Sequence, residues 1–256
     1  MKEGLLLIAH GSKDADTNRI LSKFMVSACA KFNHKFKFTG WCFLETEPSI
    51  PSAVEAMEKE GITRCLVIPL FVADSTHYKN DIPGILSRSS GETLEFDIAG
   101  PFMHSRHLKD SLLEQARILS QYPGEEGIIL FAHGSALYGQ VWNTMMAGIG
   151  SHLSLNTGIQ VFNYAYIKNG KLLPTIGKSL IDQEMQSVNK LIILGMYFGK
   201  SVLDIYYKYK SELPKYFDNY RNDGRLAFSK YSLLSGDYIY AWISDIIGDH
   251  FPFQDR

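Results

Sequence analysis

Two histidines follow short apolar runs in the same local sequence, Ala-His-Gly-Ser. His10 lies in the first copy and His133 in the second. Since open α/β sheets bind ligands at the carboxyl ends of their strands, each imidazole is predicted to lie where a ligand can reach it. Imidazole binds metals and exchanges protons near neutral pH. The repeated phrase also indicates that the chain has two similar halves.

The first half contains a second histidine and a carboxylate at comparable positions. His77 follows the strand-like run 65–71, and Glu45 follows the end of the run 36–44. If the first and third strands are neighbours, as in flavodoxin-like sheets, His10 and His77 face one cleft. Two imidazoles and one carboxylate, without a thiolate, suit a transition metal that is held weakly and transiently.

Simpler interpretations of these side chains remain open. A single histidine after a strand is more often a hydrogen-bonded core or surface residue, and a lone carboxylate such as Glu45 is more often solvated. Asp81 is expected to cap a helix before Pro83. His104 and His107 are expected at the start of another helix.

Strand-like runs alternate with helical patterns along the chain, which is typical of parallel sheets with helices on both faces. We therefore expect an α/β fold with domains at residues 1–124 and 125–256. The predicted strands are 4–9, 36–44, 65–71, 94–99, 127–132, 159–166 and 191–196, and the clearest predicted helices are 50–57, 108–119, 140–150 and 239–247.

Composition excludes several classes of function. Lys and Arg number 26 against 27 Asp and Glu, without the basic excess typical of nucleic-acid binding. No apolar stretch approaches the ~20 residues that cross a bilayer, and the first residues do not resemble a signal peptide. We therefore expect a cytoplasmic protein that binds neither nucleic acid nor membrane. The 3 cysteines lack CxxC spacing and are expected to be reduced, buried thiols.

A hydrolase or phosphatase that uses His10 and His133 is a weaker alternative. The chain contains no G-x-S-x-G motif, no GxxxxGK[ST] phosphate loop and no G-x-G-x-x-G motif after a strand. Such an enzyme would need a nucleophile or a phosphate-binding loop, and neither is evident.

Three motifs in order resemble the class II tetrapyrrole chelatases of the CbiX type, which are sirohydrochlorin cobaltochelatases and ferrochelatases. The motifs are His-Gly-Ser at 10–12, Phe-Leu-Glu at 43–45 followed by Pro-Ser-Ile at 48–50, and the stretch 71–77 followed by Asp-Ile-Pro at 81–83. The resemblance covers the first half closely. It covers the second half as a degenerate repeat, as in the long, two-domain members of the family.

The resemblance implies two flavodoxin-like domains with a cleft between them. It implies a lyase that inserts Co²⁺ or Fe²⁺ into sirohydrochlorin in cobalamin or sirohaem biosynthesis, with the metal as substrate and no tightly bound cofactor. His10 and His77 match the family's active-site histidines, and Glu45 matches a carboxylate near the metal. A non-catalytic carrier of tetrapyrrole or metal with the same fold is the alternative, and both a monomer and a homo-oligomer are open.

The substrate implied by the resemblance carries several carboxylates, so cationic and hydrogen-bonding groups are expected around it. The candidates are Ser12, Lys13, Ser75, Thr76, Lys79 and His133. Ser75 departs from the family, which usually has glycine there. In the second half, the stretch 195–201, where the counterpart of 71–77 should lie, contains no histidine, and there is no evident equivalent of Glu45 around 164–166. We therefore expect it to shape the cleft and to contribute His133 without forming an independent site.

Overall fold

The computed structural model describes residues 2–166 and 178–250. The strands are β1 (Glu3–Ala9), β2 (Phe38–Phe43), β3 (Arg64–Pro69), β4 (Glu95–Ile98), β5 (Glu126–Ala132), β6 (Val161–Tyr166), β7 (Lys190–Met196) and β8 (Leu226–Phe228). The helices are α1 (Ala15–Phe32), α2 (Ile50–Lys59), α3 (Ile82–Ser89), α4 (Arg106–Leu119), α5 (Gly139–Thr157), α6 (Lys178–Glu184), α7 (Val202–Tyr209), α8 (Tyr216–Asn222) and α9 (Tyr238–His250).

The strands form two parallel sheets with the same topology. Their orders are β2-β1-β3-β4 and β6-β5-β7-β8, so the first strand of each half lies between the second and third. The predicted α/β fold with two similar domains is confirmed. In each sheet the central pair of strands carries the apolar runs, because a parallel strand covered on both faces must be apolar throughout. Leu5 to Ile8 are completely buried.

The predicted amphipathic helices bury the residues that their spacing indicates. In α2 these are Ile50, Ala53, Val54 and Met57, and Pro51 lies in the first turn where its missing N–H is tolerated. In α9 the five predicted apolar residues are all buried. Among the described residues, no helix is both long and apolar enough to span a bilayer.

Packing divides the described chain into two compact units that differ from the sequence halves at two helices. The first unit contains β1 to β4, α1 to α3 and nearly all of α9, whereas α4 belongs to the second unit with β5 to β8. In the first unit the α9 ring of Trp242 lies 4.8 Å from that of Phe102. The domain boundary at residue 124 describes the repeat in the sequence, whereas the two units are defined by packing. The boundary therefore stays a prediction.

The sequence patterns miss several elements. The 18-residue helix α1 was not among the predicted helices, although Leu21, Phe24, Met25 and Ala28 have helical spacing and are buried. The strand β8 has 3 residues, too few to show a period. His107 lies in the first turn of α4, as expected, whereas His104 ends the 3-10 turn Phe102–His104 just before it.

The cysteines are buried free thiols, as the sequence predicts. Cys29, Cys42 and Cys65 are all buried in the first unit. Burial in apolar surroundings disfavours the thiolate and raises the pKa of Cys29 to about 12. Burial also raises the pKa values of Cys42 and Cys65. These thiols therefore remain protonated at neutral pH.

We expect the thiols of the native protein to react slowly with a disulfide reagent at pH 8, because the reactive species is the thiolate. Each unit of raised pKa lowers the thiolate fraction about tenfold. Raising the pH from 8 toward 10 should therefore accelerate the reaction in the folded state. Absorbance of the released reagent anion measures the rate, with protein in denaturant as control. A thiol that reacts as fast in the native as in the denatured protein would contradict the burial.

Candidate functional site

The candidate site lies at the carboxyl edge of the first sheet, where β2, β1 and β3 end side by side. Ala9 pairs with Phe43 of β2, and Ile8 pairs with Pro69 of β3. The loops that follow these three strands carry His10, Glu45 and His77. One ligand atom from each of the three side chains lies within 4.8 Å of the others. The structure thus brings together the three residues that the sequence singled out for metal binding and catalysis.

His10 is held by the turn that follows β1. Its Nδ1 lies 2.9 Å from the carbonyl oxygen of Gly11. A carbonyl oxygen can only accept, so Nδ1 carries the proton and Nε2 keeps a lone pair. That Nε2 lies 3.7 Å from Oε1 of Glu45. The backbone N–H of Glu45 donates to the carbonyl of His10 at 3.0 Å, which fixes the two residues next to each other.

His77 is held by a different local structure. It begins a π-helical turn, His77–Asp81, which leads into α3. Its Nδ1 donates to Oδ2 of Asp81 at 2.7 Å, which leaves Nε2 with a lone pair here as well. Asp81 makes no capping hydrogen bond to α3, so the expectation that it merely caps this helix is wrong. Its carboxylate instead accepts the hydrogen bond from His77.

The two imidazole rings meet edge to face. Their centroids lie 4.6 Å apart with an interplanar angle of 79°, and the ring of Phe71 lies 6.2 Å from that of His10. The side chains of His10 and His77 are 39% and 41% exposed. Solvent and ligands can therefore reach them. The carboxylates of Glu45 and Asp81 beside the two imidazoles favour a divalent cation.

This donor set matches a transition metal in temporary contact with protein. Two imidazole nitrogens and one carboxylate are ligands that Co²⁺, Fe²⁺ and Ni²⁺ all accept, and fewer than four protein ligands leave positions open. The same Nε2 atoms can accept protons from a bound molecule. Within residues 2–166 and 178–250, no other group of three such side chains converges in this way.

The predicted substrate-binding residues lie on the same two loops, and their roles stay predictions. Ser12 Oγ accepts from the N–H of Asp14 at 3.1 Å, and Ser75 Oγ accepts from the N–H of Tyr78 at 3.2 Å. Each hydroxyl still has a proton to donate. Lys13 is exposed and Thr76 is partly exposed.

Lys79, a further cationic candidate, is already engaged by a carboxylate of its own loop. Its Nζ lies 3.2 Å from Oδ1 of Asp74. A substrate carboxylate would therefore have to compete with that pair for the lysine.

His133 occupies in the second unit the position that His10 occupies in the first. It is exposed, and its ring meets that of Tyr197 edge to face at 5.2 Å. Strand register explains the likeness, because Ile8 pairs with Pro69 just as Phe131 pairs with Gly195. Tyr197 is thus the equivalent of Phe71.

The same register shows what the second unit lacks. Counting on from Tyr197 makes Ser201 the equivalent of Ser75 and Leu203 the equivalent of His77. The local hydrogen bonding supports this equivalence. Ser201 Oγ, like Ser75 Oγ, accepts from the N–H three residues later, which is that of Asp204, at 3.2 Å. The second histidine is therefore replaced by Leu203. The position equivalent to Glu45 is residue 168, which lies outside the described residues.

Sequence reasoning missed one residue of the site, Asp81 as the partner of His77. The available signal was spacing, because side chains four residues apart in a helical segment are neighbours. The interpretation of Asp81 as a helix cap left that spacing unused.

Solved structures share this fold over the whole chain. A sirohydrochlorin chelatase, SirB from Bacillus subtilis subspecies spizizenii in complex with cobalt, has a TM-score of 0.74 at 16% identity, covering 97% of this chain and 95% of its own. SirB from Bacillus subtilis with Fe³⁺ has a TM-score of 0.76 at 15% identity, covering 98% of both chains. The fold is thus that of the two-domain chelatases.

Sequence comparison adds the family. The CbiX family model matches residues 4–119. The sirohydrochlorin cobaltochelatase of Sulfolobus acidocaldarius is 31% identical over 114 residues, which are 44% of this chain and 89% of that protein. This chain belongs to the CbiX family. The match covers the half that carries His10, Glu45 and His77.

The turn after β1 requires glycine at position 11. Gly11 has a φ of 85°, and a Cβ there would lie 2.8 Å from Oγ1 of Thr46. We expect Gly11→Ala to lower the free energy of unfolding by about 1–3 kcal/mol, because a side chain is strained in this conformation. Denaturant titration measures the change. Gly124→Ala is the control, since nothing lies within 4 Å of its added Cβ. Equal stability of the two variants would contradict the strain.

Metal binding tests the cluster directly. We expect His10→Ala and His77→Ala each to weaken Co²⁺ binding at least about tenfold, the effect of losing ~1.4 kcal/mol of ligand interaction. Isothermal titration calorimetry under reducing conditions gives the affinities. His34→Ala is the control, because this histidine is exposed in the 3-10 turn after α1. Unchanged affinity in both site variants would show that the cluster does not hold the ion.

Proposed function

We propose that this protein inserts a divalent metal ion into sirohydrochlorin, as a chelatase of the lyase class. The observation that carries the proposal is the convergence of His10, Glu45 and His77 within 4.8 Å at a partly exposed sheet edge. The chain belongs to the CbiX family, and the Sulfolobus relative that it matches over 114 residues is named a sirohydrochlorin cobaltochelatase.

The proposed reaction needs proton acceptors and temporary ligands in one place. Two pyrrole N–H bonds break and two protons leave, while the divalent ion loses water and forms bonds to the ring nitrogens. The ion keeps its oxidation state, so no electron donor is required. Both histidines present an unprotonated Nε2, because their Nδ1 protons are held by Gly11 and Asp81. Each imidazole can thus hold the ion or accept a proton.

Glu45 contributes charge to the same reaction. Its carboxylate is 53% exposed and lies 3.7 Å from Nε2 of His10. There it offsets part of the charge of the ion and assists proton removal. Weak binding is useful in this step, because the ion must leave the protein for the macrocycle. The cluster contains no thiolate, which would hold the metal more tightly.

The substrates are the tetrapyrrole and either Co²⁺ or Fe²⁺, with no tightly bound cofactor. The metallated product would enter cobalamin or sirohaem biosynthesis. Ser12, Lys13, Ser75 and Thr76 lie on the loops of the two histidines and are proposed to bind the carboxylates of the macrocycle, with His133 as an additional group. The catalytic groups come from one unit of one chain, so the proposal holds for a monomer or a homo-oligomer. We also propose that the enzyme is cytoplasmic and binds neither nucleic acid nor membrane; the balance of 26 basic and 27 acidic residues supports the statement on nucleic acid.

Metallation can be followed by the visible spectrum of the tetrapyrrole. Under anaerobic, reducing conditions, sirohydrochlorin with Co²⁺ or Fe²⁺ should change spectrum faster with the protein than without it. We expect His10→Ala and His77→Ala each to lower the rate at least about 100-fold, since a positioned base contributes 10²–10⁴-fold. His133→Ala should lower it less, and His34→Ala should not change it.

Three outcomes would count against this proposal. No acceleration with either metal would exclude the enzyme. Tight binding of the tetrapyrrole without turnover would favour the carrier with the same fold. Full activity of both first-unit histidine variants would place the chemistry at other residues.

A further inference from the structure

Asp81 makes a short polar contact in the candidate site, although it is not one of the three proposed metal ligands. Its Oδ2 lies 2.7 Å from Nδ1 of His77, within hydrogen-bond distance, whereas Glu45 lies 3.7 Å from His10. The contact involves the ring nitrogen that faces away from a ligand bound at Nε2. A carboxylate behind a metal-binding histidine fixes both its tautomer and its ring orientation.

The backbone is shaped to make this contact. The N–H of Ile82 donates to the carbonyl of His77, a bond across five residues that defines the π-helical turn. Pro83 follows at once, has no N–H, and in a regular helix would clash with the carbonyl four residues earlier. Widening the turn is a usual way to accommodate such a residue, and π turns are frequent at functional sites.

The far side of this turn is anchored to the neighbouring strand. The hydroxyl of Tyr78 donates to the carbonyl of Ala99, just beyond β4, at 3.1 Å. The N–H of Lys79 donates to the carbonyl of Ser75 at 2.9 Å. These bonds limit the freedom of the backbone on which His77 and Asp81 lie.

The second unit supplies an internal comparison. Counting by strand register, Leu203 replaces His77 and Tyr207 replaces Asp81. The serine that caps the turn is kept, as Ser75 and Ser201 show. The carboxylate and the π-helical turn are thus both absent where the histidine is absent, because the equivalent segment of the second unit is the regular helix α7. This pattern is expected of a residue that serves the histidine rather than the fold.

We infer that Asp81 is a positioning residue, which holds His77 protonated at Nδ1 and thereby presents the Nε2 lone pair to the substrate metal or to a pyrrole proton. The kinetic consequence rests on the proposed function, whereas the tautomer can be observed without any turnover. His10 reaches the same tautomer through the carbonyl of Gly11. The tautomer of His10 therefore depends on a backbone carbonyl, whereas that of His77 depends on a side chain, which a substitution can remove.

The tautomer is measured by ¹⁵N-detected NMR of the metal-free, uniformly labelled protein at a pH where the rings are neutral. His77→Ala identifies the signals of that ring. We expect wild type to show His77 protonated at Nδ1, and Asp81→Ala to shift it toward protonation at Nε2. Asp81→Asn should keep much of the original tautomer, because its amide oxygen can still accept from Nδ1. His10 should stay protonated at Nδ1 in both variants, because its proton is held by the carbonyl of Gly11.

Metallation kinetics give the second readout. Asp81→Ala should lower kcat about 10–100-fold, the usual cost of losing a carboxylate behind a metal-binding histidine. KM for the tetrapyrrole should change little, and Asp81→Asn should restore part of kcat. Asp110→Asn is the matched control, because it removes a carboxylate 3.8 Å from His152 in the second unit. Thermal unfolding confirms that each variant is folded.

The two readouts separate failure of this inference from failure of the proposed function. A wild-type protein without metallation activity would overturn the proposed function and leave the NMR result to decide the role of Asp81. An unchanged His77 tautomer in Asp81→Ala would overturn the inference, whatever the rate. A shifted tautomer with unchanged kcat would overturn the link to catalysis.

Discussion

The parallel pairing of β1 with β3 is the constraint on which the site depends. Ladder hydrogen bonds fix Ile8 opposite Pro69, and the N–H of Leu70 extends the ladder to the carbonyl of Ile8 at 2.7 Å. His10 and His77, 67 positions apart in the chain, thereby follow strands that end at one edge of the sheet. Because both strands are buried except for their first residues, a slip in register would expose apolar side chains or bury polar ones. The core thus fixes the two strand ends from which the loops of the two histidines start.

The sequence is sufficient to predict the sheets and the convergence of His10, Glu45 and His77. The strands are continuous apolar runs, and one topological rule places polar residues after adjacent strands at the same edge. The turn around His77 could not be predicted in this way. Its π-helical geometry depends on Pro83 and on the contact of Tyr78 with Ala99, and neither has a periodic pattern. The role of Asp81 was missed for a different reason, because its spacing of four residues from His77 was a signal that went unused.

The sequence also contains no periodic pattern that shows which distant segments pack against each other. The final helix α9 was predicted as a helix, and its buried face was predicted correctly. Its place in the first unit depends on rings such as Trp242 and Phe102, which are 140 positions apart in the chain. A stripe of apolar residues shows that a helix has a partner, but it does not identify the partner. The short strand β8 gave no signal at all.

The buried thiols of the first unit have a consequence for metal traffic. Cys42 lies on β2, three positions before Glu45, yet it is completely buried and its pKa is raised. Thiolates are the strongest ligands that the chain possesses for soft divalent ions. Keeping them protonated within the core leaves imidazole and carboxylate as the metal ligands that face solvent at this edge. A protein arranged in this way offers the ion only ligands from which it can be released.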